Sequence, residues 1–532
     1  MLNYIYFNLL SLNLYYNITK SITLFTLTYI KGDTFMPKQF IMIMTDTQRT
    51  DMLGCYGNSG MVTPCIDSLC ENGIRFDKAY TAQPVCGPAR STLFTGLYPH
   101  SNGSWSNCVA LESTVKTIGQ RLTHENIATG YIGKWHLDGG DYFGTGRCPE
   151  GWNPKYWYDM RNFLDELSTE DRMRSRDAGT IWEGDGYEAE FTFAHKCSNR
   201  AIEFIKEHQD KDFFLVVSYD EPHGPFIAPK KYPEMYKDYE FPVSENIHDT
   251  LENKPEHHKV WAGDRIHHDR SNHKVKYPLL FGANSFVDSE IGRVLEAYRT
   301  YTKDALILYT SDHGDHLDAH RIDSKGASMY EEIIHIPFIL SGTPVKGNKV
   351  VNEHVVSHAD VVPTILDYFN ATPYSMLQGH SLIKVLDEPT AKINDAIFSE
   401  FGRYEIAHDS FGGFQPIRCI RTDRYKLVLN LLCTDELYDL KKDPHEMHNL
   451  IDEPATSKIR DALHDQLLNW MNETRDPFRG YYWSRRPWRT DAPPATWYDS
   501  CMTRQKEPDY DEVRECDYAT GLPITKATYR KF

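Results

Sequence analysis

The sequence lacks the features that define several classes of protein. Its 532 residues contain eleven cysteines without a dense, regular spacing, so we expect mostly reduced thiols and no disulfide scaffold. Basic residues are outnumbered by acidic ones, and the net charge of −17 argues against a general nucleic-acid binder. No internal repeat and no low-complexity tract is present. An acidic protein can still bind a small anion where Lys, Arg and His gather locally.

The N-terminal segment 1–35 lacks the parts of an export signal. It has no basic n-region, no uninterrupted apolar h-region and no small-residue cleavage site, and Lys20 interrupts any membrane span. We interpret the segment as a spurious upstream extension or a weak signal. A start at Met36 predicts a cytoplasmic protein, whereas a functional segment 1–35 predicts a periplasmic or secreted one. No membrane span is expected.

What the sequence contains is a globular composition, with 40% apolar and 13% aromatic residues. Four short apolar runs have the pattern of buried parallel strands. These runs are Phe40–Met44, Phe213–Ser218, Ala305–Tyr309 and Ile336–Leu340. Helical patterns such as 199–208 and 285–300 lie between them. We therefore predict an α/β fold with a doubly wound, mostly parallel sheet flanked by helices, in a catalytic domain over residues 36–390.

The C-terminal part of the chain has a different pattern. Residues 418–432 alternate as antiparallel strands do, 441–444 carry a turn signal, and 458–474 have the periodicity of an amphipathic helix. We predict a smaller α+β domain over residues 391–475. Residues 476–532 are rich in Trp, Tyr, Pro and Arg without a clear period, and we expect an ordered tail or lid there.

Three of the predicted strands end in side chains that can bind a metal or an anion. Asp46 follows the first strand, Asp220 and His223 follow the second, and Asp312 and His313 follow the third. Ligands of open α/β sheets bind beyond the carboxyl ends of the strands. The three loops are therefore predicted to converge on one site. The alternative is that Asp and His end these strands as ordinary turn formers.

The most specific signal is the thirteen-residue stretch Pro84–Gly96, which reads Pro-Val-Cys-Gly-Pro-Ala-Arg-Ser-Thr-Leu-Phe-Thr-Gly. It resembles the signature of the formylglycine-dependent (type I) sulfatases, members of the alkaline-phosphatase-like superfamily. The resemblance implies that a maturase oxidises Cys86 to formylglycine (3-oxoalanine). One hydroxyl of the aldehyde hydrate attacks sulfur and displaces the alcohol. The other then loses its proton, the carbonyl re-forms and sulfate leaves. It also implies that Arg90, one helical turn further on, holds the hydrate and the metal-bound oxygens.

A second segment, Gly130–Leu137, resembles another signature of the same family and ends in Gly-Lys-Trp-His. The resemblance implies that Lys134 contacts both the sulfate and the hydrate. It also implies that His136 assists deprotonation of the second hydroxyl. In all, the resemblance covers roughly residues 37–475.

Two more loops add residues to this site by resemblance. Glu221–Pro225 matches a family loop whose histidine, here His223, acts as general acid toward the departing alcohol, since an unperturbed imidazole titrates near neutral pH. Lys325 matches a sulfate-binding lysine downstream of the metal strand. His320 lies where many relatives carry a histidine near the substrate, and we expect it to contact substrate too.

The resemblance also implies a divalent metal. Asp46, Thr47, Asp312 and His313, with the modified Cys86, would hold it, and an oxygen-rich shell favours Ca²⁺. The sequence departs from the family here, because most sulfatases carry two adjacent carboxylates at the first strand end and this chain has Asp-Thr. The imidazole and the smaller number of carboxylates leave Mn²⁺ and Mg²⁺ as alternatives.

Together these motifs predict a sulfuric ester hydrolase that acts on a small sulfated substrate, by default a sulfated carbohydrate. Two alternatives stay open. A phosphonate monoester or phosphodiester hydrolase on the same scaffold would fit Asp46 without a second aspartate. A non-catalytic sulfated-glycan binder would explain Thr47 as the mark of a weakened metal site. No motif that we identify specifies the sulfate position or the oligomeric state.

Overall fold

The computed structural model describes residues 37–493, apart from 140–141, 184–185, 303, 347–348, 352–353, 375 and 406–412. The predicted extension 1–35 and the predicted tail beyond residue 493 lie outside the described residues. The described strands are β1 (Gln39–Thr45), β2 (Gly73–Phe76), β3 (Ala79–Tyr80), β4 (Ala128–Gly133), β5 (Phe213–Ser218), β6 (Ala305–Ser311), β7 (Phe338–Gly342), β8 (Lys349–Val351), β9 (Val356–Ser357), β10 (Ala396–Arg403), β11 (Phe414–Thr422), β12 (Tyr425–Asn430) and β13 (Glu436–Asp439). The described α-helices are Pro64–Glu71, Cys86–Thr95, Pro99–Asn102, Ile118–His124, Met160–Glu166, Thr169–Arg174, Phe193–Glu207, Lys231–Glu234, Glu256–Ala262, Pro278–Tyr301, Glu331–Ile334, Val361–Tyr368, Ile383–Asp387, Ser457–Glu473 and Tyr481–Ser484.

A seven-stranded mixed sheet with the order β4-β5-β1-β6-β7-β2-β8 forms the centre of the fold. Strands β4, β5, β1 and β6 are parallel neighbours. Even-numbered residues 40–44 of β1 pack into one apolar core and residues 41 and 43 into another, so both faces of this strand are covered. A strand covered on both faces is a continuous apolar run, which is why the sequence pattern located it. The predicted doubly wound, mostly parallel sheet is confirmed.

One predicted strand runs in the opposite direction. Strand β7 pairs antiparallel with both β6 and β2. The prediction of a parallel strand over residues 336–340 is therefore wrong in direction, although a strand is present. The connection 312–337 does not form a long helix across the face of the sheet, as a parallel crossover usually does. An apolar run encodes burial on both faces and carries no information about strand direction.

A four-stranded antiparallel sheet with the order β10-β11-β12-β13 follows in the chain. The helix Ser457–Glu473 packs on it through Leu463, Leu467 and Met471, and this core also buries Trp483. The predicted antiparallel strands and amphipathic helix are confirmed. The predicted domain boundaries after residues 390 and 475 stay predictions.

Between residues 37 and 493 every cysteine that the structure describes is a free thiol. In the same part of the chain, no helix combines the length and the apolar character that crossing a membrane requires. The predicted cellular location depends on residues 1–35 and stays a prediction.

Candidate active site

The parallel strands bring their polar loop residues together at one edge of the sheet. Asp46 directly follows β1, Lys134 directly follows β4, and Asp220 lies two residues beyond β5. The Nζ atom of Lys134 lies 2.7 Å from an Asp46 oxygen and 3.1 Å from an Asp220 oxygen. Asp312, which directly follows β6, accepts a hydrogen bond at 3.3 Å from the backbone N–H of Thr47. The loops that were predicted to converge do so.

Gly133 makes the close approach of β4 to β5 possible. Its φ is +114°, and a Cβ added there would lie 1.8 Å from the carbonyl oxygen of Ser218. Only glycine fits such a position without displacing the neighbouring strand. The backbone N–H of Lys134 donates to the same carbonyl at 2.8 Å. The turn thus fixes the backbone from which the Lys134 side chain reaches Asp46.

Cys86 is the first residue of its helix and is 1% exposed. Its Sγ atom lies 2.8 Å from Nζ of Lys325, 3.2 Å from Nε2 of His313 and 3.8 Å from Oδ1 of Asp46. Burial and the Asp46 carboxylate favour the neutral thiol. The positive charges of Lys325 and Lys134 outweigh them and lower the pKa of Cys86 to about 6. The environment of position 86 therefore stabilises negative charge.

Arg90 lies one helical turn beyond Cys86 and is fully buried. Its Nε atom is 2.9 Å from an Asp312 oxygen and one terminal nitrogen is 3.1 Å from an Asp46 oxygen. The other terminal nitrogen donates to the Lys134 carbonyl at 2.7 Å. A buried guanidinium between two carboxylates offsets their mutual repulsion. The structure thus shows Arg90 holding the carboxylates, and its predicted contact with a hydrate stays a prediction.

Four buried residues, Asp46, Cys86, Asp312 and His313, offer ligand atoms that all lie within 4.8 Å of one another. Burial and the Asp46 charge raise the pKa of Asp312 to about 6, so the two carboxylates repel each other at a point where a cation would relieve the repulsion. Nδ1 of His313 is 2.8 Å from the Gly314 carbonyl, an arrangement that leaves Nε2 as the possible ligand. Two carboxylates and an imidazole fit a divalent cation.

Thr47 contacts this group through both of its hydrogen-bond donors. Its hydroxyl donates to Asp46 at 2.7 Å, and its backbone N–H donates to Asp312. The φ of Thr47 is +67°, in the left-handed region that β-branched residues rarely adopt. This backbone conformation aims both donors at the carboxylates. Thr47 therefore orients two candidate ligands, and its own predicted role as a ligand stays a prediction.

The two predicted catalytic histidines are held neutral by their surroundings. Burial, followed by the charge of Lys134, lowers the pKa of both His136 and His223 to about 3. Nδ1 of His136 is buried without a hydrogen-bond partner among the described residues. Nδ1 of His223 lies 3.3 Å from the Tyr142 hydroxyl and 2.8 Å from the Gly224 carbonyl. The expectation that His223 has a near-neutral pKa is thus wrong for this environment, which lowers the pKa to about 3. The catalytic roles of both histidines stay predictions.

Two residues complete this network: Tyr142, which the sequence analysis missed, and Asp220, which it grouped with the strand-end residues without giving it a role. The ring of Tyr142 lies 4.2 Å from Nζ of Lys134, and its hydroxyl donates to Asp220 at 2.5 Å. Asp220 also pairs with Lys134. The position of Asp220 after a buried strand was the signal that could have identified it as a site residue. Tyr142 lies between the second signature and the helix Met160–Glu166 and belongs to no motif.

Lys325 lies in the site as predicted, whereas His320 belongs to a neighbouring polar cluster. Nδ1 of His320 is 2.7 Å from an Asp249 oxygen, and its ring stacks on Tyr330 with centroids 3.7 Å apart. The contacts of His320 among the described residues include none with the four candidate metal ligands, of which Cys86 is one. The predicted substrate contact of His320 gains no support from this placement and stays a prediction.

The cluster around His320 also contains Glu332 and Glu446, and the three residues could together hold a metal ion. Two ammonium groups already supply positive charge there. Nζ of Lys426 is 2.6 Å from a Glu446 oxygen, and Nζ of Lys254 is 3.3 Å from Nδ1 of His320. We interpret this cluster as a buried ion-pair network, because a cation would have to compete with both lysines.

Fold and site together define an alkaline-phosphatase-like hydrolase. The Sulfatase family model matches residues 38–371, and a second model, N-sulphoglucosamine sulphohydrolase, C-terminal, matches residues 321–473. An uncharacterized sulfatase, YidJ, of Escherichia coli is 44% identical over 490 residues, covering 91% of this chain and 96% of its own length. The chain belongs to the sulfatase family and is a sulfuric ester hydrolase.

More distant relatives have named substrates. An arylsulfatase of Clostridium perfringens is 28% identical over 81% of this chain and 94% of its own length. An N-acetylglucosamine-6-O-sulfatase of Bacteroides thetaiotaomicron is 23% identical over 84% of this chain and 94% of its own length.

Among solved structures, a protein in complex with its substrate D-glucosamine-2-N,6-O-disulfate has a TM-score of 0.65 and 22% identity, covering 82% of this chain and 98% of its own. A phosphonate monoester hydrolase of Agrobacterium radiobacter has a TM-score of 0.66 and 22% identity, covering 82% of this chain and 96% of its own. At these identities the structural likeness shows the fold alone.

Proposed function

We propose that this protein is a formylglycine-dependent sulfatase of sulfated carbohydrates, in which a maturase converts Cys86 to formylglycine. The surroundings of position 86 are the observation that supports this most. The Cys86 sulfur lies close to Lys325, His313 and Asp46, and Nζ of Lys325 is also 3.1 Å from Nε2 of His313. A sulfate ester seated there would meet positive charge at its oxygens and a nucleophile at its sulfur. The sugar sulfatases among the relatives support a carbohydrate substrate.

In this proposal the formylglycine hydrate supplies the nucleophilic hydroxyl. Lys325 and Lys134 bind the sulfate oxygens, since their ammonium groups face the same buried point as position 86. His136 accepts a proton from the hydrate, which its low pKa permits because a neutral imidazole has a free acceptor nitrogen. His223 carries a proton to the departing oxygen. A bound sulfate would raise the pKa of His223 by offsetting the lysine charges that lower it.

The metal in this proposal is Ca²⁺, held by Asp46, Asp312 and His313 together with position 86. When bound, the cation would neutralise charge on the sulfate oxygens. Arg90 keeps both carboxylates in place, and Thr47 orients them. Mn²⁺ and Mg²⁺ remain alternatives, because the site offers only two carboxylates to a cation, and the imidazole of His313 favours Mn²⁺ of these two.

A second candidate is a phosphonate monoester or phosphodiester hydrolase that uses the same residues. Asp46 is followed by Thr47 and not by a second carboxylate, which lowers the negative charge near the substrate. A phosphonate monoester hydrolase has the same fold. Sulfated-glycan binding without catalysis is a weaker candidate, because Cys86, Arg90, Lys134, His136 and Lys325 are all present and buried.

The test is a side-by-side assay of the protein coexpressed with a maturase and supplied with Ca²⁺. We expect a higher kcat/KM for an aryl sulfate than for an aryl phosphonate or an aryl phosphodiester, and no turnover by Cys86→Ala. A preference for the phosphorus esters would overturn the proposed reaction in favour of the second candidate. Sulfate binding without turnover would indicate a glycan binder. A panel of 2-, 4-, 6- and N-sulfated sugars would then identify the substrate.

A further inference from the structure

The guanidinium group of Arg176 lies beside the active site, where its charge is one of those that lower the pKa of Asp220 against the effect of burial. It packs over the rings of Tyr142 and Phe143, with its Cζ atom 5.3 Å from each ring centroid. Among the residues that the structure describes, its side chain makes no ion pair and no hydrogen bond. The residue is partly exposed. A partly desolvated guanidinium normally binds a carboxylate, a phosphate or a sulfate, which its planar fork of donors fits.

The neighbouring arginines in the same segment are satisfied by protein groups. Nε of Arg172 donates to the Leu164 carbonyl at 2.6 Å, and this side chain also lies 3.5 Å from an Asp165 oxygen. Arg174 donates to the Gly186 carbonyl at 3.1 Å. Among the described residues of this segment, Arg176 is thus the arginine whose side chain makes no hydrogen bond and no ion pair.

Arg176 and the predicted general acid His223 line the same cleft. Asp220 and Glu221 line it too, and the remaining wall is mostly apolar, including Phe163, with Ser175 and Thr192 as its other polar residues. The Asp220 carboxylate is already engaged by Lys134 and by the Tyr142 hydroxyl. Arg176 also acts on the Asp220 charge through space but makes no hydrogen bond or ion pair with that carboxylate, so its N–H donors remain available to a ligand that enters the cleft.

Tyr142 links the two cationic groups. Nζ of Lys134 lies 4.2 Å from its ring centroid and Cζ of Arg176 lies 5.3 Å from it. The two cations are therefore separated by no more than the sum of these distances, which is a span that two acidic substituents of one monosaccharide can bridge. Lys134 contacts Asp46 in the candidate metal site, while Arg176 lines a cleft together with His223, the residue proposed to protonate the departing alcohol.

From this arrangement we propose that Arg176 binds a second anionic group, a carboxylate or a second sulfate, on the sugar that carries the scissile ester. This inference rests on the proposed function and names its substrate class, a monosaccharide unit with two negative charges. The fixed aromatic support of Arg176 selects for that class, because the guanidinium needs no ordering before it binds.

The test compares matured, Ca²⁺-loaded wild type with Arg176→Ala, Arg176→Lys and the matched surface control Arg172→Ala. The substrates are an aryl sulfate, a singly charged 6-sulfated N-acetylglucosamine, glucosamine-2-N,6-O-disulfate and a 2-O-sulfated hexuronate. We expect Arg176→Ala to lower kcat/KM on at least one doubly charged sugar by roughly 10- to 100-fold, the range for losing a hydrogen bond to a charged group. Turnover of the aryl sulfate by the same variant should stay close to wild type.

The pattern of losses identifies the anionic group. A loss on the disulfate alone indicates a sulfate partner, a loss on the hexuronate alone indicates a carboxylate, and a loss on both indicates either anion. Arg176→Lys should recover part of the loss, and Arg172→Ala should be neutral. Equal losses on all substrates, or no loss on either doubly charged sugar, would overturn the proposal while leaving the sulfatase assignment intact. If the wild type turns over no sulfate ester, both the proposed role of Arg176 and the proposed sulfatase reaction would be contradicted.

Discussion

The ammonium group of Lys325 lies 2.8 Å from the sulfur of Cys86, which is buried at the first residue of its helix. This pair joins a loop beyond β6 to the segment that carries the most specific motif of the sequence. A lysine so close to a thiol stabilises the thiolate, and the same lysine would face a sulfate group once the thiol has been replaced by an aldehyde.

We predict that Lys325→Met raises the pKa of Cys86 in protein made without a maturase. The wild-type pKa is about 6 because Lys325 and Lys134 overcome burial and the Asp46 charge. Removing one ammonium group should shift the midpoint upward, toward the ordinary thiol value. The rate at which a small alkylating agent modifies Cys86, followed by mass spectrometry against pH, measures this midpoint. The exposed Lys274→Met serves as the control, and an unchanged midpoint in Lys325→Met would contradict the electrostatic account.

Metal binding should depend on Asp312 and not on His320. We expect Ca²⁺ to raise the thermal midpoint of chelator-treated wild type, because a ligand that binds only the folded state stabilises it. Asp312→Asn replaces one of the two carboxylates among the four clustered ligands by a neutral amide and should abolish most of this shift. His320→Gln should keep the shift even if it lowers the starting midpoint, because lysines already neutralise its cluster. The reverse pattern would place the metal at the second cluster. Scanning fluorimetry with Ca²⁺, Mn²⁺ and Mg²⁺ provides the measurement.

His223→Gln should impair the enzyme in proportion to how poor the leaving group is. A general acid accelerates departure of a sugar alkoxide by roughly 10²- to 10⁴-fold, whereas a nitrophenolate leaves without help. The variant should therefore lose far more kcat on a sugar sulfate than on 4-nitrophenyl sulfate. Equal losses on both esters would show that His223 acts in binding and does not donate the proton.

Acid should destabilise the fold partly through His258. Burial lowers the pKa of this histidine to about 3, while in the unfolded chain it titrates near 6.5. The folded state thus takes up the proton less readily than the unfolded chain. The contribution of neutral His258 to the free energy of unfolding is fully present above pH ~6.5 and is lost as pH falls toward ~3. The loss is at most about 1.4 kcal/mol per pH unit. The thermal midpoint of His258→Gln should therefore vary less between pH 4 and pH 6 than that of wild type. If the thermal midpoints of His258→Gln and wild type changed equally with pH, this account of His258 would be contradicted.

Much of the fold could be predicted because β1, β5 and β6 are buried on both faces and read as continuous apolar runs. The direction of β7 could not be predicted, because burial alone does not specify whether a strand pairs parallel or antiparallel with its neighbours. The polar residues that follow β1, β5 and β6 could be assigned to one site from the sequence, since parallel strands end at the same edge of a sheet.

The parts of the site that escaped prediction lie in irregular segments. Tyr142 and Arg176 acquire their roles through contacts across the chain, with Lys134 and with each other, that no local pattern encodes. His320 illustrates the opposite error, because a histidine close in sequence to Lys325 was expected to share its site. Its left-handed φ of 54° and its stacking on Tyr330 direct the ring to another cluster. The pKa of His223 also depends on lysines from two other loops.

The most direct test of the central claim is mass spectrometry of the peptide that contains Cys86, from protein expressed with a maturase and assayed in parallel. The account predicts that this peptide carries an aldehyde in place of the thiol, and that activity on an aryl sulfate rises with the modified fraction. Full activity in a preparation whose Cys86 is entirely an unmodified thiol would contradict it.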